Sequence, residues 1–423
     1  MTRKAVTSIV VIIILIILGV GAYWYFIMRP FPTSEPIPLS SPSGSPGFQP
    51  INRPVAPGGQ SASTTGQSGQ TSTNQPLKQT PIPVLRLLSA TPVGGYGSMT
   101  TASTTIAEWI GRGRGNVYQA DEKSSIIATL SNTVVPRMYQ SLWNKSLTAF
   151  IGSLLQDGGT VGSIYAELVH QTATSSASAA PFSLRGKDIP GTMIAYAASP
   201  KKDQVFMLEN EGGNGVGYVS AFNGSSMTKI FTTPLTQVSV DWPSANTIAI
   251  TTKGSATADG FLYFVNPKTG VWTKVLGPLA GLSATVSHDG KYVLASVTGG
   301  NNNVLTSIYS IAKASTIDAG IRTLADKCAW GNFYQDVVYC GVSSLPVSGT
   351  YPDDWYTGTL STSDKIWQVD AATGEVRLIA SLPDQTTSPI DAFALQTDDH
   401  DNYLFFMNKK DLSLWSLNLI QSH

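Results

Sequence analysis

Three observations predict an all-β fold: a seven-bladed β-propeller closed by an N-terminal strand, preceded by one transmembrane helix and a disordered linker. A short pattern ending in an aromatic residue recurs seven times at near-even spacing. Glycine-marked hairpin turns separate short apolar strands along most of the chain. A strand-like segment ahead of the first repeat matches the strand that the last repeat lacks. Repeats of about 40–50 residues with strand character are the signature of propeller blades.

The chain starts with an apolar segment. Residues 5–28 carry no charge and are mostly Ile, Val and Leu. At about 1.5 Å per residue the run is long enough to cross about 30 Å of hydrocarbon. Tyr23, Trp24, Tyr25 and Phe26 stand at its far end, where amphipathic rings favour the interface. Arg3 and Lys4 precede it, which favours a cytoplasmic N-terminus. The expectation is a single-pass protein of the cell membrane, held through its N-terminal helix, with the propeller extracytoplasmic. The competing reading is a signal peptide cleaved after Val20-Gly21-Ala22. Residues 29–83 are rich in Pro, Ser, Thr, Gly and Gln, a composition that cannot bury enough apolar surface to offset its ordering entropy. The divisions are therefore 1–28 (cytoplasmic tip and anchor), 29–83 (disordered linker) and 84–423 (propeller).

The seven repeats end at Tyr118, Tyr165, Tyr218, Tyr263, Tyr309, Trp367 and Trp415, spaced 47, 53, 45, 46, 58 and 48 residues apart. Before each lies a short apolar strand, such as Val205–Leu208 or Tyr403–Phe406. After it comes a turn and an alternating strand, as in Val369-Asp-Ala-Ala-Thr-Gly374 leading to Val376-Arg-Leu-Ile379. Each blade reads as a four-stranded meander, innermost strand A to outermost strand D. Only eight residues follow Trp415, too few for a fourth strand. Leu85-Arg-Leu-Leu-Ser89 resembles the fourth strand Val376-Arg-Leu-Ile-Ala380 and is expected to complete the last blade, which removes an open edge.

Ser287-His-Asp-Gly-Lys-Tyr-Val-Leu resembles the Ser-x-Asp-Gly-Lys-Tyr hairpin of TolB-like and WD-repeat-like bacterial propellers. The resemblance spans the ordered domain, although Asp399-His-Asp-Asn-Tyr403 is a degraded copy of the motif and the Gly-His and Trp-Asp pairs of eukaryotic WD repeats are absent. It implies the fold and a tendency to bind proteins, and transfers no catalytic residue.

Charge and chemistry narrow the function. Charged residues make up 13% of the 423. The formal charge of zero resolves into +3 over residues 1–29, +1 over 30–83 and −4 from Val84 onward. A mildly acidic domain offers no basic footprint for nucleic acid. Arg112 and Arg114 read as part of a glycine-rich turn. The four histidines (His170, His288, His400 and His423) make no evident triad, and no Gly-x-Ser-x-Gly elbow is present. No catalytic residue, cofactor or metal is assigned. Asp398, Asp399, His400, Asp401 and Asn402 crowd one turn but depart from calcium-loop spacing, so they read as a solvated hairpin tip. Cys328 and Cys340 flank the A–B hairpin of the sixth blade and are either bridged or two buried thiols.

Two insertions interrupt the period, at residues 170–190 and 343–363. The second carries Tyr351, Asp353, Asp354, Trp355 and Tyr356, a mixture suited to recognition because Trp and Tyr dominate binding hot spots. The competing reading packs these rings on their own blade. The favoured function is a membrane-tethered scaffold binding an envelope protein, peptide or glycan. The alternative is a glycoside hydrolase or lyase, which needs carboxylates converging about 5–10 Å apart. Glu108, Glu167, Asp241 and Asp391 are the acids in or near strands.

Overall fold

The computed structural model describes residues 83–171, 180–300 and 303–421. The strands run in order β1 (Leu85–Ser89), β2 (Val93–Thr100), β3 (Thr105–Gly111), β4 (Val117–Asp121), β5 (Ile127–Ser131), β6 (Met138–Trp143), β7 (Ala149–Leu155), β8 (Val161–His170) and β9 (Phe182–Ile189). Next come β10 (Thr192–Ala198), β11 (Gln204–Glu211), β12 (Asn214–Ala221), β13 (Thr228–Thr233), β14 (Val238–Ser244), β15 (Thr247–Thr252), β16 (Asp259–Val265) and β17 (Trp272–Ala280). The series ends with β18 (Ser283–Val286), β19 (Tyr292–Thr298), β20 (Val304–Ser310), β21 (Ser315–Asp318), β22 (Cys328–Trp330), β23 (Val337–Ser343), β24 (Asp364–Asp370), β25 (Val376–Ser381), β26 (Ala392–Thr397), β27 (Tyr403–Asn408) and β28 (Leu414–Asn418).

These strands form an all-β protein with a propeller arrangement. Four antiparallel sheets are sequential meanders, β10–β13, β14–β17, β18–β21 and β22–β25. A fifth has the order β1-β28-β27-β26, so the N-terminal strand supplies the outer edge for the C-terminal hairpins. The sixth sheet has eight strands, in two antiparallel halves β2–β5 and β6–β9 joined by the single parallel pair Ser131↔Phe182.

The second strand of each meander is buried on both faces, which explains its continuous apolar run. Val205 to Leu208 of β11 and Leu404 to Phe406 of β27 are fully enclosed. Neighbouring sheets cover them: Phe206 and Leu208 pack with Trp242, Ile248 and Ile250 of the next sheet. The repeated aromatics all lie on third strands. At Tyr118, Tyr218, Tyr263 and Trp367 the pairing with the fourth strand shifts register just before the aromatic. A bulge there increases twist and re-aims the side chain, which accounts for an aromatic at that position.

The membrane placement is corrected. Among the described residues no helix is long and apolar enough to cross a membrane. Their one α-helix, α1 (Asp353–Thr357), has five residues, against the roughly 20 that a span requires. The single-pass topology, with cytoplasmic N-terminus and extracytoplasmic propeller, therefore has no support in the structure. The segments read as anchor (1–28) and linker (29–83) lie, Pro83 aside, outside the described residues.

Candidate functional site

The first strands β2, β6, β10, β14, β18, β22 and β26 all contribute to one cavity of about 560 Å³. Trp143, Trp242 and Trp330 lie in its wall and are almost wholly buried. Besides the phenols of Tyr96 and Tyr196, its ionisable groups are Lys145, Lys202, Asp241, His288 and Asp399. All but Asp241 come from the turns that join first to second strands.

Four of these turns share one construction. In each, a side-chain acceptor at the first position takes the backbone N–H four or five residues on. Asn144 accepts from Thr148 at 2.9 Å, Ser199 from Gln204 at 3.0 Å, Ser287 from Tyr292 at 3.0 Å and Asp398 from Asn402 at 2.6 Å. Such local bonds offer the backbone an alternative to the ladder and hold the loop in one shape. The next residue in each turn (Lys145, Pro200, His288 or Asp399) reaches the cavity. The Ser-His-Asp-Gly turn therefore also aims a side chain, His288, into the cavity.

Electrostatics distinguish the cavity groups. Burial pushes the Asp241 carboxyl above the usual range, opposed by the nearby His288. The backbone N–H of Trp242 donates to Asp241 Oδ1 at 2.7 Å. Lys145 forms an ion pair with Asp399. Burial pushes the Lys202 ammonium below the ordinary lysine value, Lys145 adds to the shift and Asp399 opposes it.

The acidic turn at 398–402 is not the solvated tip that composition suggests. Asp398 and Asp401 are buried. Asp398 Oδ2 accepts from Thr100 and Thr105 at 3.0 and 2.8 Å. Asp401 accepts the backbone N–H groups of Asn332, Phe333 and Tyr334 at 2.8, 3.1 and 2.8 Å. Both staple neighbouring turns, and their longer-range partners leave no local sequence signal.

The insertion at 343–363 points two of its three aromatics inward. Tyr351 and Trp355 are buried and pack with Leu324. Asp353 accepts from the Ala256 backbone at 2.7 Å and Asp354 from that of Thr350 at 2.8 Å. Tyr356 is 37% exposed and donates to Asp326 at 2.8 Å. Beneath the insertion lies the buried Lys327, whose Nζ is 2.7 Å from Asp391, 2.8 Å from Asp364 and 2.6 Å from Thr362 Oγ1. Trp355 Nε1 donates to Asp391 at 3.1 Å, and Lys409 lies over the Trp355 ring at 4.9 Å. Burial alone would raise the Asp391 pKa, but the Lys327 charge and these hydrogen bonds hold it below the usual carboxylate value.

Of the four acids in or near strands, only Asp241 lines the cavity. Glu108 is buried in β3, bonded to Gln119 at 2.8 Å, and Glu167 lies 3.7 Å from Arg185. Cys328 and Cys340 are directly opposite each other on β22 and β23 and are joined as a disulfide, with Cys328 in the cavity wall.

No family model and no curated protein matches the chain. Solved structures do resemble it. An oligogalacturonate lyase in complex with manganese is 10% identical, with a TM-score of 0.47 over 78% of this chain and 97% of that one. TolB from Acinetobacter baumannii is 11% identical, with a TM-score of 0.41 over 75% of this chain and 64% of that one. A Mycobacterium tuberculosis puromycin-hydrolyzing peptidase is 13% identical, with a TM-score of 0.46 over 74% of this chain. The chain spans about half the length of that peptidase. The resemblance to TolB is one of fold, and no residue role passes with it.

Proposed function

We propose that the protein is a ligand-binding propeller of seven blades, with the eight-stranded sheet counting as two, and that its central cavity receives the ligand. The observation that carries this reading is the convergence of seven first strands on one cavity whose mouth bears ionisable side chains from four similarly built turns. A volume of about 560 Å³ is within the usual range for small-molecule sites, roughly 300–1,000 Å³. The insertion at 343–363 supports it as structure: its rings and acids are largely used internally, and Tyr356 is the residue of the five left for outside contact. A glycan, peptide and small-metabolite panel screened by thermal shift on the full chain tests this. Ligands of the cavity lose their shift in His288→Ala and keep it in Tyr356→Ala. The reverse pattern would move the site to the insertion and sink the cavity reading.

A second reading is favoured by one feature. Asp241, its carboxyl raised by burial, has His288 nearby in the same cavity, an arrangement suited to acid–base chemistry. With Asp399 it also supplies the cavity with two carboxylates, the minimum for glycosidic cleavage. An enzyme predicts that Asp241→Asn abolishes turnover of a bound glycan while binding persists. A scaffold predicts no turnover to abolish.

A further inference from the structure

The four capped turns can be compared position by position. In each, the fourth residue has a left-handed backbone: Leu147 (φ 56°), Lys202 (φ 53°), Gly290 (φ 70°) and Asp401 (φ 56°). In each, its N–H returns to the carbonyl of the first residue, at 3.2, 2.7, 2.8 and 3.2 Å. Three of these residues have a structural account. Leu147 is buried in an apolar cluster. Gly290 is the residue best suited to this backbone. Asp401 binds three backbone N–H groups of the neighbouring turn.

Lys202 has none. Its side chain lines the cavity. Among the described residues its ammonium has neither a hydrogen-bond acceptor nor an ion-pair partner within bonding distance. The adjacent Lys145 is taken up by Asp399, which also accepts weakly from the Thr100 backbone at 3.4 Å. Lys145 and Asp399 are the charges that act on the Lys202 ammonium, so this cluster of three, set apart from Asp241 and His288 of the same cavity, holds two ammonium groups and one carboxylate, an excess of one positive charge. A partly desolvated cation without an acceptor is costly, and proteins keep such groups where a ligand completes them.

We propose that this mouth is an anion site, in which Lys202, with Lys145 beside it, holds the carboxylate of a small monoanionic ligand. The inference rests on the cavity reading above and adds the ligand's charge. One carboxylate matches the excess charge; a phosphate dianion overshoots it. The carboxylate takes the place of the missing acceptor, and the rest of the ligand extends along the aromatic wall formed by Trp143, Trp242 and Trp330.

The turn comparison also supplies the variant. Glycine occupies the equivalent position in the Ser287 turn, so Lys202→Gly removes the ammonium without demanding a new backbone conformation. Full-length protein is titrated with sodium acetate and sodium benzoate against sodium chloride at matched ionic strength, with benzamide as the neutral isostere of benzoate and inorganic phosphate as a further arm. Tryptophan fluorescence and calorimetry report binding. Benzoate is expected to bind more tightly than benzamide. Lys202→Gly should weaken benzoate about tenfold, the loss of one charge-assisted contact, and Lys202→Arg should retain most of the affinity. Benzoate and benzamide binding alike, or benzoate unaffected in Lys202→Gly, would overturn the anion site and leave the cavity reading standing. Tighter binding of phosphate than of either carboxylate would overturn the assignment of a monoanion. The absence of any carboxylate-specific response overturns the proposal. A cavity that no charged or neutral ligand perturbs would instead overturn the function on which it rests.

Discussion

Two lysines with two different surroundings show how this molecule separates structure from function. Lys327, 1% exposed, has three oxygen partners within 3 Å and a tryptophan ring beside it. Lys202 lies in the cavity wall with no bonded partner among the described residues. The first is the centre of a closed network that ties the 343–363 insertion to β24 and β26. The second is an open valence. Lys327 is almost wholly enclosed where Lys202 is only half-buried, so depth of burial does not mark the lysine proposed for the ligand. The satisfaction of the charge does.

The largest effect should come from breaking the closed network. Lys327→Met leaves Asp364 and Asp391 buried without their cation and is expected to cost about 3–5 kcal/mol, read from urea unfolding midpoints. Adding Asp364→Asn and Asp391→Asn should recover part of that loss, because most of the cost comes from leaving buried carboxylates without a counter-charge. A cost below about 1 kcal/mol for Lys327→Met would break the comparison, since Lys327 would then be no better satisfied than a surface lysine.

Buried acids with only part of their bonding met lie between these extremes. Glu122, 3% exposed, lies 3.7 Å from Arg86 and accepts from Ser416 at 3.1 Å, but its second oxygen has no partner. Glu108 likewise bonds Gln119 and leaves one oxygen unmet. Burial pushes each from 4.5 to about 7, the Arg86 charge opposing it for Glu122 and the Gln119 bond for Glu108. An acid whose folded pKa exceeds its unfolded value binds extra proton in the native state. Stability therefore falls as pH rises from 4.5 to 7 and returns on acidification. The loss is on the order of 3 kcal/mol for each group. Glu122→Gln or Glu108→Gln should flatten that share of the difference in urea midpoint between about pH 5 and pH 8. An unchanged pH profile in both variants would mean that these carboxylates stay ionised and are satisfied after all.

The disulfide comes next. It joins residues 12 apart in sequence, and closing so short a loop removes about 3 kcal/mol of unfolded-chain entropy, of which measured stabilities often recover less. Cys340→Ser with Cys328→Ser should lower stability by about 2 kcal/mol by the same reasoning. Because Cys328 follows Lys327 directly, this pair also tests whether the closed network depends on β22 being tied to β23. Additive losses in the combined variant would show two independent supports.

What was legible in the sequence follows the range of the interaction involved. The repeated aromatics mark third strands, and at four of the seven a register shift against the fourth strand lies directly beside the aromatic, which is local chemistry. The closure by Leu85–Ser89 was legible because a fourth strand looks alike wherever it occurs. The inward orientation of Tyr351 and Trp355 was not. The insertion is held by distant groups: Asp391 is 36 residues from Trp355, and Ala256 is 97 residues from Asp353. The burial of Asp398 and Asp401 escapes a local reading for the same reason, since Thr100 is 298 residues from Asp398. The Ser287 hairpin reads in sequence as a fold signature. Its kinship with the acidic turn at 398–402 is legible as a degraded copy, whereas its equivalence with the turns at Asn144 and Ser199 emerges only when all four are seen around one cavity.

The smallest expected effect bears most directly on the cavity. The Lys145–Asp399 pair has side chains 54% and 32% exposed. Pairs this open contribute about 0–1 kcal/mol, so Lys145→Met should shift the unfolding midpoint by no more than that. Its effect on Lys202 is a separate matter. Removing a neighbouring positive charge lets the Lys202 ammonium return toward its ordinary pKa, and Asp399, freed of its partner, becomes available to it. The titration of Lys202, followed through its side-chain carbon resonances, should therefore move up in Lys145→Met while stability barely changes. A fall instead would show that Asp399 had been sustaining the Lys202 charge through Lys145, and that the mouth is a second closed network rather than an open one.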